Sequence, residues 1–153
     1  MQTILITGNT GVGKSRLLCA LAMQHQVAVI DPLVEARGIW MEPAVSSRGV
    51  AIDHFSYLDE AKDIVAAATA WCEQYAVDLW LCDFSLMDFE RKGITVPADA
   101  IELHLKRDVW PWPVTVTPGK RITASFDQAL SLACQLVEVV ECDWRVRRAA
   151  PRR

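Results

Sequence analysis

Apolar residues along this chain fall into two kinds of run. Short runs rich in branched residues read as strands: TILIT at 3–7, VAVID at 27–31, VAID at 50–53 and VDLWLCDF at 77–84. Longer stretches with apolar residues three and four apart read as helices. They cover Lys14 to about Gln24 (KSRLLCALAMQ), Ser56 to about Tyr75, and Ser125 to about Leu136. Ser56 with Asp59, and Ser125 with Gln128, are hydroxyl and acceptor three residues apart, the pattern that satisfies the free amides of a helix start. Pro97 is expected to open a further helix to about Lys106, which the WPWP run at 110–113 breaks, and Val114 to Thr117 a further strand. Residues 32–49 carry Pro32, Gly38, Pro43 and Gly49 without periodicity and are expected to form a mobile excursion.

Strands alternating with helices of this length predict a parallel sheet covered on both faces. VAVID and LWLC are apolar on both sides, as inner parallel strands are. The 153 residues suffice for one core, and no repeat or linker divides them. The expected class is single-domain α/β, with the domain over 1–143 and a basic tail over 144–153.

Charge changes the picture at one end. The last ten residues, WRVRRAAPRR, hold five arginines and no acid, which leaves 11 basic against 19 acidic residues, a net of −8, in the rest. That body is a poor non-specific partner for nucleic acid. The tail can meet nucleic-acid phosphates, acidic lipid or a protein, or be a solvated end. Two indoles in Trp110-Pro111-Trp112-Pro113 either fold back on the core or form a docking ridge for a protein partner or a second copy.

The longest apolar runs, such as Val27–Ile30 and Ile64–Ala68, are far short of the roughly 20 residues that span a bilayer, so no transmembrane segment is expected. The N-terminus lacks the basic start and long apolar stretch of a signal peptide. A soluble, cytoplasmic protein is expected. The five cysteines form no C-x-x-C pair and read as reduced thiols, and the scattered His25, His54 and His104 argue against a histidine metal site.

Between the first strand and the first helix stands GNTGVGKS, residues 8–15, which fits G-x-x-x-x-G-K-[ST] through Gly8, Gly13, Lys14 and Ser15. Glycines let backbone N–H groups turn inward around an anion, and the helix beginning at Lys14 points its positive end at the same place. Lys14 supplies a mobile charge to the β- and γ-phosphates, and the Ser15 hydroxyl suits Mg²⁺. The ligand expected is a nucleoside triphosphate. Asp83, closing the apolar run LWLCD, suits the second metal-holding position; Asp31, closing VAVID, is a further candidate for orienting water or for Mg²⁺, and Asp53 a third. Phe84 rather than a glutamate follows Asp83, and no N-K-x-D guanine-reading motif is present, which favours ATP.

On these residues the chain resembles the P-loop NTPase superfamily, which implies a three-layer fold around a mostly parallel central sheet. The order GVGKS, VAVIDP, VDLWLCDFSL, PVTVTPGKRITASFDQALSLA is similar to ParA/MinD-type partition ATPases. The resemblance implies catalytic roles for Lys14, Asp31 and Asp83, and nucleotide contacts from Gly8, Asn9, Thr10, Gly11, Val12, Gly13, Lys14, Ser15 and Arg16. It implies Mg²⁺ on Ser15 and Asp83. Asn9 stands where that family carries its signature lysine. The function expected is Mg²⁺-dependent ATP binding and hydrolysis on a DNA-handling or protein assembly, in partition, transfer or packaging of mobile DNA, with a protein partner or homo-oligomer. Two alternatives stand beside it. One is a small-molecule kinase with Asp31 as base and the tail arginines as a phosphate-binding lid; the other is a nucleotide-dependent assembly or switch subunit with little hydrolysis.

Overall fold

A computed structural model describes residues 1–32, 40–107 and 119–149, without the side chains of Ser56 and of 139–149. Among the described residues six strands form one sheet: β1 (Thr3–Gly8), β2 (Val27–Ile30), β3 (Gly49–Ile52), β4 (Asp78–Cys82), β5 (Ile101–Leu105) and β6 (Arg121–Ala124). Their order is β2-β3-β4-β1-β5-β6 and every pairing is parallel. Among the same residues four helices accompany them: α1 (Lys14–His25), α2 (Ala61–Tyr75), α3 (Leu86–Arg91) and α4 (Phe126–Ala149). The architecture is α/β.

Alternation along each strand builds two cores, because successive side chains of a strand point to opposite faces. Ile4, Ile6, Ala51, Trp80 and Cys82 face one way, onto Leu17, Leu18 and Leu21 of α1 and Ala129, Leu132 and Ala133 of α4. Leu5, Val50, Ile52, Leu79 and Leu81 face the other way, onto Ile64, Val65, Ala68 and Trp71 of α2 and Phe89 of α3. The sheet is therefore the middle of three layers. The inner strands β1, β3 and β4 are buried along their whole length, whereas β2, expected as an inner strand, is an edge with only Val27 fully covered.

Three sequence expectations are corrected. The helix expected from Ser56 begins instead at Ala61. Phe55 and Leu58 are buried, and the chain reaches them through a single 3₁₀ turn, Phe55–Tyr57, before an extended Leu58. Residues 101–105, expected in a helix opened by Pro97, are strand β5. Ile101, Leu103 and Leu105 all enter the α1/α4 core at a spacing of two, which a helix cannot do. The Ala100 amide closes a turn on the Pro97 carbonyl, so the proline marks a bend into the strand. Helix α3, not expected at all, starts where the Ser85 amide and hydroxyl both donate to Asp88.

The expected start at Ser125 holds. Its amide donates to Gln128 Oε1 at 3.2 Å, and the Gln128 amide donates to Ser125 Oγ at 3.3 Å. Helix α4 runs on to Ala149, past Leu136 and across the expected boundary at 143/144. Ser125→Ala should cost about 1 kcal/mol, because one helix-start amide loses its acceptor; the midpoint of urea unfolding measures it. The expected strand at Val114–Thr117 and the Trp110–Pro113 run lie outside the described residues, as do residues 33–39 of the 32–49 excursion. No helix among the described residues is long and apolar enough to cross a membrane.

Candidate functional site

The site lies where the central strands end. The Gly8 amide donates to Phe84 O at 3.0 Å, and the Asp83 amide donates to Ile6 O at 3.1 Å, so the end of β4 is tied directly to the start of the glycine loop. This pairing follows from the register, which sets Ile6 opposite Cys82. Asp83, next in the chain, is thereby fixed beside the loop, and its Oδ1 accepts the Phe84 amide at 2.8 Å.

Gly13 sets the other wall of the loop. It caps α1 with φ +104°, and a Cβ there would lie 2.8 Å from the Phe126 ring of α4. A side chain would meet both a strained backbone and an aromatic ring. The same ring stacks on the Arg16 guanidinium, 3.9 Å away. Arg107, just beyond β5, donates to Gly11 O at 3.1 Å. The loop is thus held from β4, β5 and α4 together.

Between these walls is a recess lined by Thr10, Gly11, Gly13, Lys14, Ser15, Arg16, His54, Asp83 and Phe84. The Lys14 ammonium gives two of its three hydrogens to the carbonyls of Gly8 (2.7 Å) and Asn9 (2.9 Å), and sits 5.0 Å from the Phe84 ring. The first turn of α1 carries no acid, so nothing there offsets its positive end. The recess therefore combines a helix N-terminus, an ammonium and a guanidinium with one carboxylate. That arrangement is of a kind that suits an anion, and the hydroxyl and carboxylate oxygens of Ser15 and Asp83 are hard donors of the type that suits Mg²⁺.

Of the residues expected at the site, Thr10, Gly11, Gly13, Lys14, Ser15, Arg16 and Asp83 meet in this recess. Asn9 and Val12 line a neighbouring recess with Thr10, His104, Leu105, Lys106 and Arg107. Asp31 does not line the first recess, but it reaches its edge through a partner. His54 Nδ1 lies 3.3 Å from Asp31 Oδ1 and 3.5 Å from Asp53 Oδ1. The Asp53 amide donates to Ile30 O, which holds the ends of β2 and β3 level and brings the three side chains together. His54 is not singled out by the sequence, because no other histidine is near it along the chain. Its only signal there was its place directly after Asp53.

A second polar cluster lies on β1, β5 and β6. The Thr7 hydroxyl donates to buried Glu102 at 2.8 Å and lies 2.8 Å from His104 Nδ1, and Arg121 pairs with the same Glu102 oxygen at 3.0 Å. Burial lowers the pKa of His104, with Arg121 acting in the same direction and Glu102 against it. Among the described residues, Cys19, Cys72, Cys82 and Cys134 are free thiols. Burial pushes Cys72 up to about 12 and Cys82 well above its ordinary value, so neither is a thiolate nucleophile. No protein-family model and no curated protein sequence matches this chain.

Proposed function

We propose that the chain binds and hydrolyses a nucleoside triphosphate, ATP in preference to GTP, with Mg²⁺. The observation that carries this reading is the junction of Lys14, Ser15 and Asp83 around one recess at the N-terminus of α1, beside the end of β4. In it Lys14 and the first-turn amides hold the β- and γ-phosphates, and Arg16 lies on the side of α4. Ser15 and Asp83 would hold the metal, which when bound offsets charge on the phosphate oxygens. Asp31 acts through His54, whose ring borders the recess, as a positioning residue for whatever attacks the terminal phosphate. The wider role, work on a DNA-handling or protein assembly, rests on the likeness to partition ATPases and on the arginines of the tail.

The test is ATP binding and phosphate release with and without Mg²⁺, for the unaltered chain and for Asp83→Asn. The amide keeps the shape of the strand end but removes the charge that holds the metal. Metal-free binding should be retained, and the Mg²⁺-dependent gain should fall by about tenfold, the worth of one charge-assisted contact. An unchanged metal dependence would remove Asp83 from the site. ATP binding without phosphate release favours the switch subunit, and phosphate appearing on an added acceptor favours the kinase.

A further inference from the structure

We propose that Asp31, Asp53 and His54 form a binding site for a single divalent transition-metal cation of the zinc or cobalt class, separate from any Mg²⁺ on Ser15 and Asp83. The three side chains come from the ends of two neighbouring strands, and each offers one ligand atom within 4.8 Å of the others. Two carboxylate oxygens and one imidazole nitrogen make a borderline donor set, which suits these metals better than Mg²⁺.

The spacing supports a shared cation over a simple ion pair. A charge-assisted hydrogen bond from an imidazole to a carboxylate closes to about 2.7–2.9 Å. Here the same ring nitrogen stands 3.3 Å from one carboxylate oxygen and 3.5 Å from the other. A single N–H cannot point at both. Around a tetrahedral metal with bonds of about 2.0–2.1 Å, neighbouring ligand atoms are about 3.3–3.4 Å apart. The two nitrogen–oxygen separations lie close to those edges.

The surroundings hold the ligands as an outer shell would. Asp53 is buried, and its Oδ1 accepts the His54 amide at 2.9 Å. The Cys82 thiol also hydrogen-bonds to Asp53, one cause of that thiol's raised pKa. His54 itself takes a left-handed backbone, φ +44°, and its ring nitrogen lies 3.3 Å from Asp31 Oδ1. Asp31 and His54 are both partly exposed, so a cation has a way in and a fourth position can be filled by water.

The experiment uses the full chain, stripped with chelator and free of nucleotide, titrated with Co²⁺ and followed by visible absorption. The expected result is one equivalent bound with the strong visible bands of a four-coordinate centre. His54→Asn and Asp31→Asn should each weaken binding by at least about 100-fold, the upper end of what loss of a supporting group costs. Asparagine tolerates the left-handed backbone at 54, so folding is kept and circular dichroism checks it. Lys14→Ala and Asp83→Asn should leave the titration unchanged, which separates cation binding at this cluster from triphosphate and Mg²⁺ binding by those two residues. Absence of the visible bands, or bands lost in Asp83→Asn but kept in both cluster variants, overturns the proposal.

Discussion

Lys14→Ala is expected to weaken ATP binding by about 100-fold while the protein stays folded. The reason lies in what Lys14 touches. Its ammonium is drawn over the loop by two backbone carbonyls and faces the Phe84 ring, so it is placed before any ligand arrives. Charge-assisted bonds to phosphate of this kind contribute about 3 kcal/mol, which is about two decades in affinity. The fold loses little. Lys14 is half-buried at the first position of α1, outside both apolar clusters; of the two carbonyls it leaves, that of Asn9 is on an exposed residue and that of Gly8 is at a buried strand end. The unfolding free energy should therefore shift by about 1 kcal/mol, the worth of one hydrogen bond. Titration with a fluorescent ATP analogue, beside urea unfolding of both proteins, reads the two quantities separately. Equal affinities in the two proteins would remove the triphosphate from the recess.

The parts of the fold that were legible in the sequence are those where local pattern and tertiary packing agree. TILIT, VAID and LWLC alternate onto two cores and are also intrinsically strand-forming, so pattern and propensity point the same way. Ser125 and Gln128 signal a helix start by chemistry alone, and the hydrogen bonds are made. The misreadings arise where the two disagree. IELHL is rich in helix-forming residues and follows a proline, but its apolar side chains recur every two residues, and burial decides. Ser56 and Asp59 carry a start signal, yet Phe55 and Leu58 must both reach the core, and one turn of tighter helix serves that need better.

The candidate site divides along the same line. The glycine loop is contiguous in sequence, so its residue types and spacing were readable without a fold. Asp83 was readable because it ends an apolar run. The Asp31–Asp53–His54 group was not readable as a unit, because its members come from two strands whose adjacency only the sheet order reveals. Spacing along the chain does not tell which residues a parallel register sets side by side at the ends of two strands. Asp31 illustrates the difference: expected to act on its own, it is joined to the recess by a histidine 23 positions further along the chain.

Gly8→Ala is expected to be among the most destabilising single-methyl changes this protein can carry, at about 3 kcal/mol or more. Gly8 ends β1 with φ +139°, a backbone region that residues with a side chain rarely adopt. A Cβ there would lie 2.6 Å from the Leu105 carbonyl oxygen and 3.1 Å from Val12 Cγ2. The nearer obstacle is backbone, and it belongs to the strand paired with β1 at that residue, so it can retreat only by opening the β1–β5 ladder. Opening it would also pull on the bond between the Gly8 amide and Phe84 O, and so on the placement of Asp83. Gly93 provides the control. It too has a positive φ, +71°, but a Cβ there meets only Lys62 Cδ at 3.8 Å. Gly93→Ala should therefore carry the backbone strain alone, about 1 kcal/mol. Urea unfolding of the two variants side by side measures the difference, which should be about 2 kcal/mol or more in favour of Gly93→Ala. Phosphate affinity should fall with Gly8→Ala and hold with Gly93→Ala. Equal losses of stability would mean that the methyl group at position 8 meets no obstacle, and that β5 does not press on the loop as closely as this packing requires.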